Sequence, residues 1–475
     1  MMISLQDFFN IIPLVIIGGG IVLSIILELY MDSGKRILPW FSIILFTAAA
    51  LYSLLTVQNQ SVIFQSMLST GGITNVFYFI FNVGAALVCF LSIDYSKKYG
   101  INYSEYYILI QSSVLGMMFM AGAKSLFMIF LGLEIMSVCF YVLAGVNRKK
   151  EKAIEASLKY FLLGAFATGF LVYGIALIYG STKTTSIDMI TAGFSEYSGN
   201  ILFLAGILLF LIGFSFKIAA FPFHMWVPDV YEGAPTTVTG LFSTIGKAAA
   251  FSAILAALTA LFSGQSSSIF LPYLAVLSVF SMLYGSIVAI AQTNIKRMLA
   301  YSSISHAGYI LIGLAAGTSS GVAGVVFYLA VYTFMNLAAF GIISLIEGDD
   351  DSNLDINSYS GLGTKSPVLA ALLAIIMFSL AGLPPLAGFF AKYYVFVAAI
   401  KSGLTWLAIL GIISSIISVY FYLRIVVLMY FKETEHEIEH SKSKSGLFGV
   451  AVSVLLVILF GIIPGSLLDL ITAYL

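Results

Sequence analysis

The sequence predicts an all-α protein that crosses a membrane many times, and three observations support this fold class. Of the 475 residues, 60% are hydrophobic and only 9% are charged, against about 25% charged in soluble domains. The mean hydropathy is +1.04. Continuous apolar runs of helix length recur along the chain, whereas a membrane β-barrel needs alternating segments of ~10 residues. Together with a formal net charge of zero, these features exclude a soluble enzyme and a nucleic-acid-binding protein.

The apolar runs predict about fourteen membrane-spanning helices, because a helix needs ~20 residues to cross the hydrocarbon layer. The hydrophilic segments between them are too short to build a core, so residues 1–475 are predicted to form a single membrane domain. The first run has no signal-peptide pattern before it and is expected to be a retained span. The predicted spans are 8–29, 37–57, 75–93, 105–122, 125–146, 154–180, 201–231, 236–262, 269–291, 298–316, 321–347, 366–400, 404–431 and 446–473.

The distribution of lysine and arginine predicts the orientation of these helices. The odd-numbered connections contain fourteen of these residues and the even-numbered connections contain three. Short cytoplasmic loops collect positive charge, so the odd-numbered loops are predicted to be cytoplasmic. Both termini would then lie on the periplasmic side of a bacterial inner membrane.

Two of the predicted spans are expected to be broken in the middle. The seventh contains Pro222 and Pro228, and the twelfth contains Gly382, Pro384 and Pro385. Proline removes a backbone donor and clashes with the preceding turn. A broken helix is tolerated in a membrane only where protein or a hydrated cavity satisfies the freed backbone groups, as on the ion paths of transporters.

Ionisable residues inside the spans recur with a nearly constant offset. The distance along the chain is 172 residues from Glu134 to His306 and 175 residues from Lys217 to Lys392. This offset equals five spans, and an odd number of spans inverts the second unit in the membrane. We therefore predict two inverted five-helix repeats, helices 4–8 at residues 105–262 and helices 9–13 at residues 269–431.

Four ionisable residues near mid-bilayer are the main candidates for function: Glu134, Lys217, Lys247 and Lys392. Each charge there costs ~2.5 to 3.5 kcal/mol on the insertion scale, so a row of them indicates an ion or proton relay. A carboxylate near a buried lysine favours the charged lysine, so a change in their separation could switch its protonation. The alternative is that these charges form structural ion pairs with no role in transport.

Three further residues are weaker candidates. His306 lies within the tenth span and could pass protons, or it could be a hydrogen-bonded core histidine. His224 and Glu232 lie near the cytoplasmic end of the broken seventh span, where they could admit protons or simply satisfy exposed backbone. The two cysteines, Cys89 and Cys139, form no CxxC motif, so we expect no metal or redox cofactor on this chain.

Three sequence strings, with the fourteen predicted spans, resemble one known family over essentially the whole chain. They are FLGLEIMSVCFYVLAG at 130–145, FPFHMWVPDVYEGAP at 221–235 and GLPPLAGFFAK at 382–392. The chain resembles the antiporter-like subunit family of respiratory complex I, the proton-translocating NADH–quinone oxidoreductase, and within it subunit N. In that family a glutamate in the fifth helix, lysines in the seventh and eighth helices and a lysine or glutamate in the twelfth are thought to relay protons. The matching residues are Glu134, Lys217, Lys247 and Lys392.

The resemblance also implies the setting in which the chain works. It would be a subunit of an enzyme that pumps protons while quinone is reduced elsewhere in the complex. NADH, FMN, the iron–sulfur clusters and quinone would be held by partner subunits, and the direct partners would be other membrane subunits and lipids. Two alternatives remain: a subunit of a multi-subunit Na⁺/H⁺ antiporter or membrane-bound hydrogenase, and a scaffold with an inactive channel.

Overall fold

The computed structural model of the chain is built almost entirely from helices. It describes residues 9–30, 34–258, 267–348, 351–433 and 441–475, so residue 8 of the first predicted span and residues 259–262 of the eighth lie outside the described part. The main helices are α1 (Ile12–Tyr30), α2 (Gly34–Leu55), α3 (Gly72–Lys98), α4 (Ser104–Ala121), α5 (Leu126–Ala144), α6 (Glu151–Thr182), α7a (Ile201–Lys217), α7b (Trp226–Gly233), α8 (Thr236–Leu258), α9 (Ser267–Ile290), α10 (Ile295–Ala315), α11 (Ser319–Ile346), α12a (Pro367–Ala381), α12b (Ala387–Lys401), α13 (Thr405–Phe431), α14a (Lys444–Ile462) and α14b (Pro464–Thr472).

The helical membrane architecture is confirmed, because each predicted span contains one of these helices or an interrupted pair. By length and composition, 11 helices in the described part are long and apolar enough to cross a membrane. The three remaining spans hold α4 and the interrupted pairs α7a–α7b and α12a–α12b. The count of fourteen crossings and the inverted repeats at 105–262 and 269–431 stay predictions.

The seventh and twelfth spans are interrupted, as their prolines predict. The chain leaves α7a at Lys217 and resumes helix at Trp226, and it leaves α12a at Ala381 and resumes at Ala387. Gly382 has φ +88°, a left-handed conformation that ends α12a and suits glycine.

The core of the molecule is formed by α8, α10 and α11. Every residue in the most apolar stretch of α11 is buried, as are 94% of those in α8 and α10, against 28% in α1 and α6. The outer helices therefore present apolar faces to lipid or to neighbouring subunits, while the central helices have no such face. This arrangement places Lys247 and His306 in the middle of the molecule.

The remaining elements are short and lie between the long helices. Strand β1 (Ser61–Ile63) and strand β2 (Leu68–Thr70) form an antiparallel hairpin that connects α2 to α3. The short helices are Ile187–Ala192, Phe194–Tyr197 and Leu362–Lys365, and Ile356–Tyr359 is a 3₁₀ turn.

Candidate functional site

The first polar group of the site lies between α5 and α7a. The Lys217 ammonium is buried and donates hydrogen bonds to Ser137 Oγ at 2.8 Å and to Tyr141 Oη at 3.1 Å. Glu134 precedes Ser137 by one helical turn and accepts a hydrogen bond from Thr168 Oγ1 at 2.9 Å. Glu134 and Lys217 therefore interact electrostatically across about one turn of α5, without a direct ion pair.

The break after Lys217 leaves backbone groups that the surrounding side chains satisfy. The Trp226 indole donates to the carbonyl oxygen of Phe216 at 3.0 Å. Ser281 Oγ accepts from the backbone nitrogen of Phe221 at 2.9 Å. A polar backbone inside a membrane requires such partners, and here they stabilise the chain break that follows Lys217 at the C-terminal end of α7a.

Lys247 forms the second polar group, directly after a widened turn of α8. Residues Phe242–Gly246 adopt a π-helical turn, a distortion often found at functional sites. The buried Lys247 ammonium donates to the carbonyl oxygen of Ser303 at 2.6 Å and also to its hydroxyl. The same ammonium lies 5.8 Å from the centroid of the Tyr332 ring.

His306 occupies α10 with both ring nitrogens hydrogen-bonded to tyrosine hydroxyls. Nδ1 lies 2.7 Å from Tyr328 Oη and Nε2 lies 3.1 Å from Tyr422 Oη. Tyr422 also bonds to the hydroxyl of Ser302, the neighbour of the residue that binds Lys247. The His306 ring contacts both Tyr332, which faces Lys247, and Tyr309, which faces Lys392, so aromatic rings link the histidine to the two lysines.

Lys392 lies in α12b and bonds to the open end of α12a. Its ammonium donates to the carbonyl oxygens of Leu380 and Ala381 at 3.1 and 3.0 Å, and to Ser415 Oγ at 2.9 Å. The last carbonyls of a helix have no intrahelical donors and carry the negative end of its dipole. The break in the twelfth span thus creates the binding site for its own lysine.

Aromatic rings connect the surroundings of Lys217 with the π turn before Lys247. Phe242, in the π turn before Lys247, packs on Phe140 at 4.4 Å and on Tyr160 at 5.7 Å between ring centroids. The Lys217 ammonium lies 5.9 Å from the centroid of the same Tyr160 ring.

His224 lies in the break of the seventh span, apart from the row of lysines. It is buried against the rings of Phe221 and Tyr284, at centroid distances of 5.4 and 4.5 Å. Its Nδ1 has no hydrogen-bond partner within the described ranges.

Glu232 belongs to a partly exposed ion network rather than to the buried row. Lys152 Nζ lies 3.0 Å from one carboxylate oxygen and Arg297 Nη1 lies 2.9 Å from the other, and Arg297 also binds Asp229. Burial raises the pKa of the Glu232 carboxyl, but the bonds and charges of Arg297 and Lys152 outweigh burial and bring the pKa below its ordinary value. Lys159 pairs with Glu155 one turn away, as their spacing predicts.

Two buried charges were not anticipated from the sequence. Lys296 lies just outside the predicted tenth span and Glu347 is the last residue of the eleventh, yet these residues are only 0% and 1% exposed. Their positions at a helix start and a helix end looked like ordinary flanking charges. They come close to the VYEGAP string only in the folded chain, so no rule based on sequence spacing reveals their burial. Ser137, three residues after Glu134, could have been found from helical spacing alone.

The described part of the chain contains no cluster of three or more histidine, cysteine, aspartate or glutamate residues that could hold a metal ion. The side chains brought together at the site are carboxyl, ammonium, imidazole and hydroxyl groups, all of which can exchange protons.

Comparison with known proteins agrees with this architecture. Residues 123–418 match the family model described as NADH:quinone oxidoreductase/Mrp antiporter, TM. NADH-quinone oxidoreductase subunit N 1 of Chloroherpeton thalassium is 42% identical over 471 residues, covering 98% of each chain. The chain belongs to the NADH-quinone oxidoreductase subunit N family.

Solved structures place this subunit N family member among related membrane subunits. A chain of respiratory complex I from Thermus thermophilus with bound aureothin is 30% identical, covers 97% of this chain and 99% of its own length, and has a TM-score of 0.82. A chain of the Mrp complex from Dietzia sp. DQ12-45-1b has a TM-score of 0.86 over 98% of this chain and 96% of its own, at 20% identity. The second likeness concerns the fold alone.

Proposed function

We propose that this chain is a proton-translocating membrane-arm subunit of NADH–quinone oxidoreductase. Protons are relayed through Glu134, Lys217, Lys247 and Lys392, with His306 between the last two. The chain carries no redox cofactor of its own. NADH, FMN, iron–sulfur clusters and quinone are bound by partner subunits, and the released redox energy drives the relay.

The observation that carries this proposal is the way the three buried lysines are bound. Each ammonium donates to neutral oxygens, which are serine and tyrosine hydroxyls or backbone carbonyls. Within the described residues, none of the three pairs directly with a carboxylate at salt-bridge distance. A structural ion pair would lock its proton in place, whereas a lysine held by neutral acceptors can release its proton and leave no unpaired carboxylate behind.

The groups divide the work by their chemistry. Glu134 acts as the charge that stabilises protonated Lys217 at one end of the row. His306 can take a proton at one ring nitrogen and release one at the other, because both face hydroxyls. Lys392 receives the proton at the carbonyl end of α12a and passes it outward. The proposed orientation places the odd-numbered loops in the cytoplasm and both termini in the periplasm of a bacterial inner membrane.

The test is Lys217→Ala in the assembled complex, with Lys183→Ala as the control because Lys183 is an exposed loop lysine. Protons pumped per electron are measured in sealed inside-out vesicles. In parallel, the rate of NADH oxidation with an artificial electron acceptor shows whether the NADH-oxidising part of the complex is intact. We expect Lys217→Ala to lose pumping several-fold and Lys183→Ala to pump normally. Normal pumping by an assembled Lys217→Ala complex would favour the scaffold alternative.

A further inference from the structure

A second set of buried charges lies at the end of the molecule near the predicted cytoplasmic loops. The Lys296 ammonium donates to the carbonyl oxygen of Ala234 at 2.7 Å. Glu347 Oε2 accepts hydrogen bonds from the Thr236 hydroxyl and from Tyr95 Oη, the latter at 3.2 Å. The two charges thus bind either side of the turn that joins α7b to α8, and Glu347 interacts electrostatically with Lys296.

A cavity reaches this set from outside. Its volume is about 390 Å³, and it is lined by Tyr95, Tyr99, Asn147, Lys150, Pro235 and Asp351 among others. Residues 147–150 belong to the connection between α5 and α6, which the charge distribution assigns to the cytoplasm. Tyr95 forms part of the cavity wall and its hydroxyl donates to Glu347, so this one side chain connects the cavity to a buried carboxylate.

Further inside the molecule, several buried polar atoms are poorly hydrogen-bonded. Tyr332 Oη, both amide atoms of Asn336 and Tyr359 Oη make no hydrogen bond of ordinary length and angle within the described ranges, although Tyr332 interacts with Ser303 and Asn336. Glu347 interacts electrostatically with Tyr359, and the Lys247 ammonium lies 5.8 Å from the centroid of the Tyr332 ring.

The positions of these groups on α11 put them in one line. Asn336 and Glu347 are eleven residues apart, which rotates by about 20° and rises by about 16 Å, so they share a face of the helix. A buried polar atom left unpaired costs about 1–3 kcal/mol, and buried water normally satisfies such atoms. Water bound at these atoms would bridge part of the distance between Glu347 and Lys247.

We propose that Glu347 is the proton acceptor at the cytoplasmic side of this subunit. This inference rests on the proposed function. A hydronium ion in the cavity gives its proton to the Tyr95 oxygen while Tyr95 passes its own proton to the Glu347 carboxylate, which leaves water in the cavity and a neutral carboxylic acid inside. The acid then gives the proton through water beside Asn336 and Tyr332 to the neutral amine of Lys247. Glu347 returns to the carboxylate and Lys247 becomes ammonium.

Lys296 is a positioning residue in this scheme. It fixes Ala234, and through that turn it fixes Thr236, whose hydroxyl and backbone nitrogen bond to Glu347 and Tyr95. Lys98 Nζ and Tyr99 Oη bond to the backbone carbonyl of Glu347 and hold the end of α11 in place.

The experiment compares Glu347→Gln, Glu347→Asp and Tyr95→Phe in the assembled complex in sealed vesicles. The control is Glu105→Gln, an exposed carboxylate at the same end of the molecule. Glutamine keeps the acceptor for Thr236 but cannot take up a proton. A positioned proton-transfer group contributes about 10² to 10⁴ in rate. We therefore expect Glu347→Gln to slow proton uptake at least about tenfold, Tyr95→Phe to slow it less, and Glu347→Asp and Glu105→Gln to retain it.

The outcomes separate this inference from the proposed function. If Lys217→Ala loses pumping while assembled Glu347→Gln pumps normally, the inference is wrong and the lysine relay stands. If both variants pump normally, the proposed function itself fails. If Glu347→Gln does not assemble, Tyr95→Phe decides, and normal uptake by an assembled Tyr95→Phe complex overturns the inference.

Discussion

At the scale of single residues, the buried lysines are held by oxygens that carry no full charge. Lys217 and Lys247 bind hydroxyls, while Lys392 binds two helix-end carbonyls and one hydroxyl. A hydrogen bond to a neutral acceptor favours the ammonium less than a bidentate carboxylate does. The surroundings of these lysines therefore allow both protonation states, which a relay needs and a structural ion pair does not.

Replacing Lys392 by arginine tests whether this residue must lose its proton. Lys392→Arg keeps the positive charge and can still donate to the carbonyls of α12a, but a guanidinium does not deprotonate in proteins. We expect the complex to assemble and to lose most of its coupled pumping. Pumping is measured in vesicles beside Lys401→Arg, a control at the exposed end of the same helix. Full pumping by Lys392→Arg would show that Lys392 is structural.

The sequence predicts which lysines are buried better than it predicts what they bind. Lys217, Lys247 and Lys392 stand inside apolar runs, so their burial follows from hydropathy. Lys296 and Glu347 stand at helix ends, where the same rule assigns charges to loops. Their burial depends on how α8, α10 and α11 pack against one another. Because these helices are distant in the sequence, their packing cannot be read from a local sequence pattern.

At the scale of helices, the two interruptions serve their lysines in different ways. Lys217 is the last residue of α7a and precedes its break, whereas Lys392 follows its break and reaches back to α12a. The prolines predict both breaks because they forbid continuous helix. They do not predict on which side of the break the lysine acts, since that depends on the path of the linking residues.

A substitution of Gly382 tests whether the position of Lys392 depends on the tight contact between them at the second break. A Cβ at Gly382 would lie 3.0 Å from Lys392 Cδ and 3.2 Å from Nζ, and the residue has φ +88°. A left-handed non-glycine residue costs about 1–2 kcal/mol. We expect Gly382→Ala to displace the ammonium from the carbonyls and to lower pumping in vesicles by several-fold.

Gly403 supplies the matched control for that substitution. It has φ +84°, and a Cβ there would meet no atom within 4 Å. Gly403→Ala therefore introduces similar backbone strain without contact to Lys392, and we expect near-normal pumping. Equal losses in the two variants would show that strain, not the position of Lys392, limits transport.

At the scale of the whole molecule, positive loop charge and the cavity that leads to the buried groups lie toward the same predicted side of the membrane. Most lysines and arginines outside the predicted spans lie in the odd-numbered connections. The cavity beside Tyr95 opens near one of these loops. The predicted orientation therefore puts proton uptake and positive charge on the same side of the membrane.

Cysteine labelling tests this orientation. Lys149 and Lys183 are exposed residues in the connections after α5 and α6, and the two native cysteines are buried. We expect Lys149→Cys to react with an impermeant thiol reagent only from the cytoplasmic side and Lys183→Cys only from the periplasmic side. The opposite pattern would invert the topology, and labelling of both from one side would contradict the number of crossings between them.

The π turn at Phe242–Gly246 also sets the angular phase of α8. An α-helix rotates by about 100° per residue, and a π turn takes up one extra residue in the same length. Thr236–Leu241 and Lys247–Leu258 are therefore out of phase by about 100° compared with an uninterrupted helix. Lys247 is the first residue after that turn, so the extra residue changes the direction in which its side chain leaves α8 relative to Thr236–Leu241, and from there the ammonium reaches Ser303.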